Sequence, residues 1–284
     1  MFPDLVAANF SLRFSGFNPT PTQAKACGYP IRADMKSRSE AIILSSLNLG
    51  EADKLITFFS FDRGRLKGTA RNARKSFRRF GAGLEPFTHC RLQLHEREHQ
   101  ELIRIESAEI VTQHFAITGD LGRTAAGSVI LELVRELAPE AERNEWVFLL
   151  IAHVLHMLEN GEDPIFLLRV FEVRFLSLLG YQPKLDHCVS CGQPADREMV
   201  YLALKGSVLC PDCLVSSGDE QVRLSAGAVG FYYQVLRMDI DKVTRLKPSN
   251  GIMNELDRVL SMHTSHILGK RLKSVEFLRS LFAT

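Results

Sequence analysis

The sequence predicts an α+β protein in which an N-terminal OB-fold β-barrel precedes an α-helical domain with an inserted four-cysteine zinc segment. Three observations predict this class. Short strand-like runs with β-branched and aromatic residues recur between positions 39 and 111. After position 120 the apolar residues recur with a helical period instead. Two Cys-x-x-Cys pairs then interrupt the helical pattern.

The barrel is predicted from its short strands. Residues 41–44 and 55–59 are apolar runs, residues 87–94 alternate between apolar and polar side chains, and residues 102–111 supply another strand. Five or so strands within about 75 residues, joined by turns, fit a small barrel such as an OB-fold. OB-folds bind nucleic acid through one face and its loops. We therefore assign residues 35–115 to a nucleic-acid-binding barrel.

The helical domain is assigned to residues 120–284, with the zinc segment at 186–216. Its helices are predicted from apolar spacing and from end signals, such as Asp163 before Pro164 and Gly161 after Asn160. The predicted helices span 121–137, 146–159, 164–179, 225–238, 250–268 and 273–282.

Residues 1–34 have no sustained period and contain several prolines and glycines. We expect a poorly ordered arm, or a start codon placed too far upstream, because Met35 directly precedes the first patterned strand. The chain contains no apolar run of the roughly 18–20 residues that would span a bilayer. Its N-terminus lacks the basic region and apolar core of a signal peptide. A cytoplasmic protein is therefore expected.

The four cysteines that form the two pairs are Cys188, Cys191, Cys210 and Cys213. Two Cys-x-x-Cys turns at this separation are typical of a zinc ribbon or knuckle. Four thiolates saturate a tetrahedral zinc ion and leave no position for water, so we predict one structural Zn²⁺. The alternative is a set of reduced thiols or a redox pair.

Residues 63–79, here named the basic segment, concentrate positive charge. The segment contains no Asp or Glu, whereas the whole chain has a formal net charge of only +2. Such a concentration is typical of a surface that binds phosphates, so we predict DNA binding here. We expect a strand followed by a long flexible loop; the alternative is a solvated loop. The predicted DNA-binding residues are Arg63, Arg65, Lys67, Arg71, Arg74, Lys75, Arg78 and Arg79.

Two phenylalanines lie among these cations. Phe77 and Phe80 could stack on unpaired bases, or they could fix the segment to the barrel. The sequence does not favour either role over the other.

A His-Glu-x-x-His motif at His95, Glu96 and His99 suggests a zinc hydrolase as an alternative function. That chemistry requires a helix, which places both histidines on one face. Here the motif lies between two alternating segments, and an extended chain would separate the histidines by about 13 Å. We predict a charged hairpin tip and no catalytic residues.

Two further groups of cations are candidates for binding a partner. Lys270 and Arg271 begin a positive patch near the C-terminus, which fits either an acidic peptide or a solvated helix end. Arg169 and Arg174 interrupt an apolar helix, where one could border a groove or extend from the edge of the core.

The order of these features resembles one known family. The resemblance rests on these stretches, in this order: AIILSSLNLGEADKLITFFSFDRGRLKGTARNARKS, then FLSLLGY, then CVSC and CPDC, and finally HILGKRLKSVEFLRSL. From Met35 onward the chain resembles RecO, a family of bacterial recombination mediators in DNA repair.

The resemblance implies a non-enzymatic protein that binds single- and double-stranded DNA, anneals strands and loads recombinase on strands coated with single-stranded DNA-binding protein (SSB). It also implies association with RecR and with the nucleoid, and docking of the SSB C-terminal tail on the helical domain, at Arg169 and Val173. An OB-fold factor that binds RNA remains the other alternative.

Overall fold

The computed structural model describes residues 35–96, 102–214 and 220–282. The expected arm, residues 1–34, lies outside the described residues. None of the described helices combines the length and apolar content that a membrane span requires.

The first five strands close into a barrel, with neighbours in the order β1-β2-β3-β5-β4. This order and the antiparallel meander of β1, β2 and β3 confirm the predicted OB-like barrel. A one-turn helix, α1, lies between β3 and β4. The elements are β1 (Met35–Leu49), β2 (Asp53–Ser60), β3 (Gly64–Ala70), α1 (Phe77–Phe80), β4 (His89–Glu96) and β5 (Ile103–Thr112).

Strand β1 contributes to two cores. Ala41 and Ile43 face the barrel interior, whereas Ile42 and Leu44 lie in the larger core that contains the helices. All four residues are buried, which explains why residues 41–44 form a continuous apolar run. The strand is longer than predicted because its polar ends also pair, with β4 at one end and β2 at the other.

The helical domain contains seven helices among the described residues, and all six predicted helices are confirmed to within two residues at each end. Side chains at the N-termini fix the starts; for example, the Asp163 carboxylate accepts a hydrogen bond of 2.6 Å from the Phe166 N–H. The five-residue α2 was not predicted, because it is too short to show a period. The helices are α2 (Phe115–Gly119), α3 (Leu121–Leu137), α4 (Glu145–Glu159), α5 (Pro164–Leu178), α6 (Ala226–Arg237), α7 (Asn250–Leu268) and α8 (Lys273–Phe282).

The cysteine segment forms a four-stranded sheet in the order β6-β8-β7-β9. Its strands are β6 (Lys184–Cys188), β7 (Met199–Leu202), β8 (Ser207–Leu209) and β9 (Gln221–Leu224). Buried His263 of α7 joins this sheet to the helices: one ring nitrogen lies 2.7 Å from the Tyr201 hydroxyl, and the other 2.6 Å from the Tyr181 carbonyl oxygen. The sheet was not predicted, because its strands have five residues or fewer and no sustained alternating pattern.

The barrel and the helical domain meet closely at the start of β3. The Ala141 N–H donates to the Arg65 carbonyl oxygen over 2.9 Å, and Arg65 Nε donates to the Ala138 carbonyl oxygen over 2.7 Å. Gly64 adopts a φ of +70°, and a Cβ at this position would lie 1.8 Å from the Glu142 carbonyl oxygen. Only glycine therefore permits this approach.

We predict that Gly64→Ala destabilises the protein by more than about 3 kcal/mol, because it adds a backbone clash to the strain of a positive φ. Gly50→Ala is the matched control, since Gly50 has a φ of +64° and a Cβ added to it would meet no atom within 4 Å. Urea unfolding should give a loss of only about 1 kcal/mol for the control. Equal losses in the two variants would contradict the close contact.

Candidate nucleic-acid interface and metal site

The basic segment forms regular secondary structure and a hydrogen-bonded turn, and not the long flexible loop that the sequence predicted. Its first part is β3, its middle is a turn, and its last part is α1. The turn is fixed to the β1–β2 connection, since Arg74 N–H donates to the Ala52 carbonyl oxygen and Asn72 N–H to the Asp53 carboxylate. The aromatic ring of Phe80 is buried in the barrel core. One of the two predicted roles, anchoring, therefore belongs to Phe80.

Five of the eight predicted DNA-binding cations have exposed side chains. Four of them follow β3, beside the β1–β2 connection, where Arg74 Nη1 also donates to the Glu51 carbonyl oxygen over 3.0 Å. The fifth lies on the outward face of β3, because the residues on either side of it are buried. These five residues, here named the exposed cations, are Lys67, Arg71, Arg74, Lys75 and Arg78.

The other three cations are engaged within the protein. Arg63 forms an ion pair with Glu96, and Arg65 lies 3.6 Å from a Glu140 carboxylate oxygen. The Arg79 guanidinium donates to the Ser76 hydroxyl and the Arg71 carbonyl oxygen, and its carbon lies 4.8 Å from the centre of the Phe80 ring. Arg63 and Arg79 therefore make contacts within the barrel, and Arg65 joins the barrel to the helical domain. A run of cations in a sequence does not distinguish such contacts from phosphate binding.

The His-Glu-x-x-His motif begins in a strand. His95 and Glu96 lie at the end of β4, where a His95 ring nitrogen is 3.3 Å from a Glu106 carboxylate oxygen. Glu96 is buried and carries the ion pair with Arg63. His99 lies outside the described residues, so the proposed hairpin tip stays a prediction.

The four cysteines converge at the ends of β6 and β8, which are parallel neighbours. Gly192, with a φ of +75°, allows the first Cys-x-x-Cys turn, and the Cys213 N–H donates to the Cys210 carbonyl oxygen in the second. All four sulfur atoms lie within 4.8 Å of one another, and Cys191 and Cys210 are separated by 3.7 Å. Thiolates around a tetrahedral zinc ion would be about 3.8 Å apart, given Zn–S bonds of about 2.3 Å. The cluster could therefore hold a metal ion.

Hydrogen bonds also change the pKa values of the cysteine thiols. Burial alone would raise the pKa of Cys188, but backbone N–H groups of Cys191, Cys210 and Ser190 lower it to about 6. The pKa of Cys213 is raised to about 12, first because its thiol bonds Cys210 and Cys191. The backbone N–H groups that favour a Cys188 thiolate thus favour the deprotonated form in which cysteine binds a metal ion.

Arg169 and Val173 are both buried in the helical domain, so the expectation that they offer a peptide-binding surface is corrected. The Arg169 guanidinium lies 2.5 Å from a Glu172 carboxylate oxygen and 2.9 Å from an Asp257 oxygen, which joins α5 to α7. Burial raises the pKa of Glu172 to about 7, against the opposing effect of Arg169. Residues 167–176 of α5 are all buried because α3, α4, α6 and α7 pack against this helix.

Arg174 is also buried and does not border a groove. Its guanidinium donates to the Met238 carbonyl oxygen at the end of α6. Burial lowers the pKa of Arg174 to about 10, and nearby Asp239 opposes the shift. Arg174 thus contributes to packing between α5 and α6.

A cavity of about 770 Å³ lies beside the C-terminal positive patch. Its walls come mainly from α7 and α8, and they combine apolar residues, such as Leu272 and Val275, with charged ones. Lys270 forms a 2.6 Å ion pair with Glu136, whereas Arg271 is exposed at the cavity. Arg258 was missed by sequence reasoning, because it is an isolated cation in a charged helix. The charged lining residues are Glu172, Glu220, Arg258, Arg271, Glu276 and Arg279.

Comparisons with known proteins agree with this architecture. Residues 35–114 match the family model described as "Recombination protein O N terminal", and residues 118–276 match "Recombination protein O C terminal". A protein of Symbiobacterium thermophilum named "DNA repair protein RecO" is 35% identical over 246 residues, which cover 85% of this chain and 96% of the relative. Proteins with the same name from Syntrophus aciditrophicus and Pelobacter propionicus are 30% and 35% identical; each match covers 85% of this chain, and 94% and 96% of the respective relative.

The raised pKa of Glu172 makes stability depend on pH. Between the ordinary value of 4.5 and about 7, the folded state binds more protons than the unfolded state. The contribution of Glu172 to stability therefore falls as pH rises through this window. We predict that the free energy of unfolding of Glu172→Gln, relative to the wild type, increases from pH 4.5 to pH 7.5. The buried histidines are present in both proteins, so their contribution cancels when the free energy of unfolding of the wild type is subtracted from that of the variant. If this difference stays constant from pH 4.5 to pH 7.5, the raised pKa of Glu172 is contradicted.

Proposed function

Because this chain belongs to the RecO family of DNA repair proteins, we propose that it is a DNA-binding recombination mediator. In this proposal it holds DNA at the basic segment, promotes annealing of complementary strands, and helps to load recombinase on SSB-coated single strands. The observation that carries it is the group of exposed cations at one end of an OB-like barrel. The proposed role requires binding and no catalytic residue.

The exposed cations explain how annealing would follow from binding. Two complementary strands repel each other through their phosphates, and cations that neutralise phosphates reduce that repulsion. Phosphate contacts do not read base sequence, so the same surface serves any pair of strands. The fixed turn beside the β1–β2 connection positions Arg71 and Arg74 before DNA arrives, which lowers the entropy cost of ordering them.

We propose that the metal in the cysteine cluster is Zn²⁺ and that it is structural. Four thiolates would occupy all its positions, so the ion would tie β6 to β8 and take no part in chemistry. The hydrogen bonds of His263 then connect the sheet to α7. Loss of the metal should therefore weaken the helical domain.

We propose two protein partners, RecR and the C-terminal tail of SSB, together with association with the nucleoid. The cavity beside α7 and α8 supports a site for the tail, since it places Arg258 and Arg271 beside apolar walls. This combination suits a peptide that carries carboxylates and ends in an apolar or aromatic residue. The site replaces Arg169 and Val173, whose side chains are buried.

The zinc proposal predicts one Zn²⁺ per chain and a loss of stability in Cys210→Ser. Removing one of four thiolates from a structural site should lower the free energy of unfolding by at least about 3 kcal/mol, while DNA affinity of the folded variant changes little. Metal analysis and unfolding of the full chain check this. Purified protein without zinc, with four freely titratable thiols in this cluster, would exclude it.

The tail proposal predicts micromolar binding of an acidic peptide with a C-terminal aromatic residue. Arg271→Glu should weaken that binding about tenfold, because it places a carboxylate opposite the peptide, and should leave DNA binding intact. Lys247→Glu is the matched control, since Lys247 is exposed and does not line the cavity. Equal peptide affinities in the two variants would place the tail elsewhere.

The DNA proposal predicts how affinity depends on salt. If about five phosphates are neutralised, log K should fall against log salt with a slope of roughly −3.5 on single strands and −4.5 on duplex. Reversing Arg74 and Arg78 to Glu removes two contacts and should flatten the slope by roughly 1.5 to 2. The matched control is Lys184→Glu with Lys205→Glu, two exposed residues of the cysteine sheet segment. If both double variants behave alike, the basic segment is only a solvated surface.

A further inference from the structure

Phe77 is the most exposed large apolar residue in the described parts of the chain, with 85% of its surface open to solvent. It begins α1, in the last part of the basic segment, with Ser76 before it and exposed Arg78 after it. Single exposed apolar residues are common in proteins. The location of this ring among cations therefore matters more than its exposure.

The position of Phe77 is fixed by the residues around it. Its carbonyl oxygen accepts a hydrogen bond of 2.8 Å from the Gly81 N–H. Three residues later, Phe80 enters the barrel core, and the Arg79 guanidinium bonds the Ser76 hydroxyl. The short helix is thus anchored from one side, and the ring of Phe77 remains outside.

The sequence left two roles open for the phenylalanines of α1, namely fixing the segment to the barrel and stacking on bases. Phe80 fixes the segment to the barrel and is covered by Arg79. Phe77 contributes nothing comparable to the barrel core. An aromatic ring beside cations that contact a phosphate backbone is the arrangement that binds single-stranded nucleic acid.

We infer that Phe77 stacks on an unpaired base of the strand held by the exposed cations, and that this contact favours single strands over duplex at this site. The inference rests on the proposed function. Bases within a duplex are already stacked on both faces, so an aromatic side chain gains a stacking partner only on an unpaired base. Phosphate contacts carry no information about the bases, so they cannot supply a preference for unpaired bases. Every base has a π face, so the contact should tolerate any sequence.

The test compares Phe77→Ala with the wild type on three DNA probes of equal length: a single strand, its duplex, and a strand of abasic sites. On the single strand, affinity should fall roughly tenfold, because one base–aromatic contact is lost. On the duplex and the abasic strand it should fall less than about twofold, and the salt slope should not change, because the phosphate contacts remain. Phe77→Trp should restore single-strand affinity.

Phe115→Ala is the matched control, because Phe115 is an exposed phenylalanine outside the basic segment. It should leave all three affinities unchanged, and urea unfolding should show that both alanine variants are folded. An equal loss of affinity on all three probes, or no loss on the single strand, would overturn the stacking role. In either case, salt-dependent binding by the wild type would still support the proposed function. A wild type that binds none of the probes would overturn both.

Discussion

The fold depends on the sharing of β1 between two cores. Alternate residues of one strand fill the barrel and the helical domain, so the barrel cannot rotate against the helices without exposing Ile42 or Leu44. Gly64 adds a second contact at the start of β3. These contacts hold the barrel against the helical domain.

Charge has two different functions in this chain. Some cations have carboxylate partners: Arg63 pairs with Glu96, and Arg169 pairs with Glu172. In these pairs each buried charge has a partner of opposite sign, which avoids the cost of an unpaired buried charge. Where cations project into solvent, as Arg78 does, they remain available to phosphates. The same residue type therefore stabilises the fold at one position and is available to bind at another.

Local features were predictable from the sequence, and long-range partners were not. The caps and spacing of α3 and α5, and the thiol pairs at Cys188 and Cys210, involve residues a few positions apart. The partner of Arg169 includes Asp257 on a distant helix, so the apolar pattern around Arg169 could not show its burial. The anchoring of the basic segment through Ala52 likewise needs the barrel register, which an isolated run of cations does not specify.

Amide hydrogen exchange of the full chain, with and without a single-stranded oligonucleotide, tests most directly whether the basic segment holds DNA. Exchange reports each segment separately, so it locates the contact without a mutation. We predict slower exchange at 71–80 and at the β1–β2 connection, 50–52, which is hydrogen-bonded to the basic segment. Slower exchange confined to 258–280, with no change in the basic segment, would contradict it.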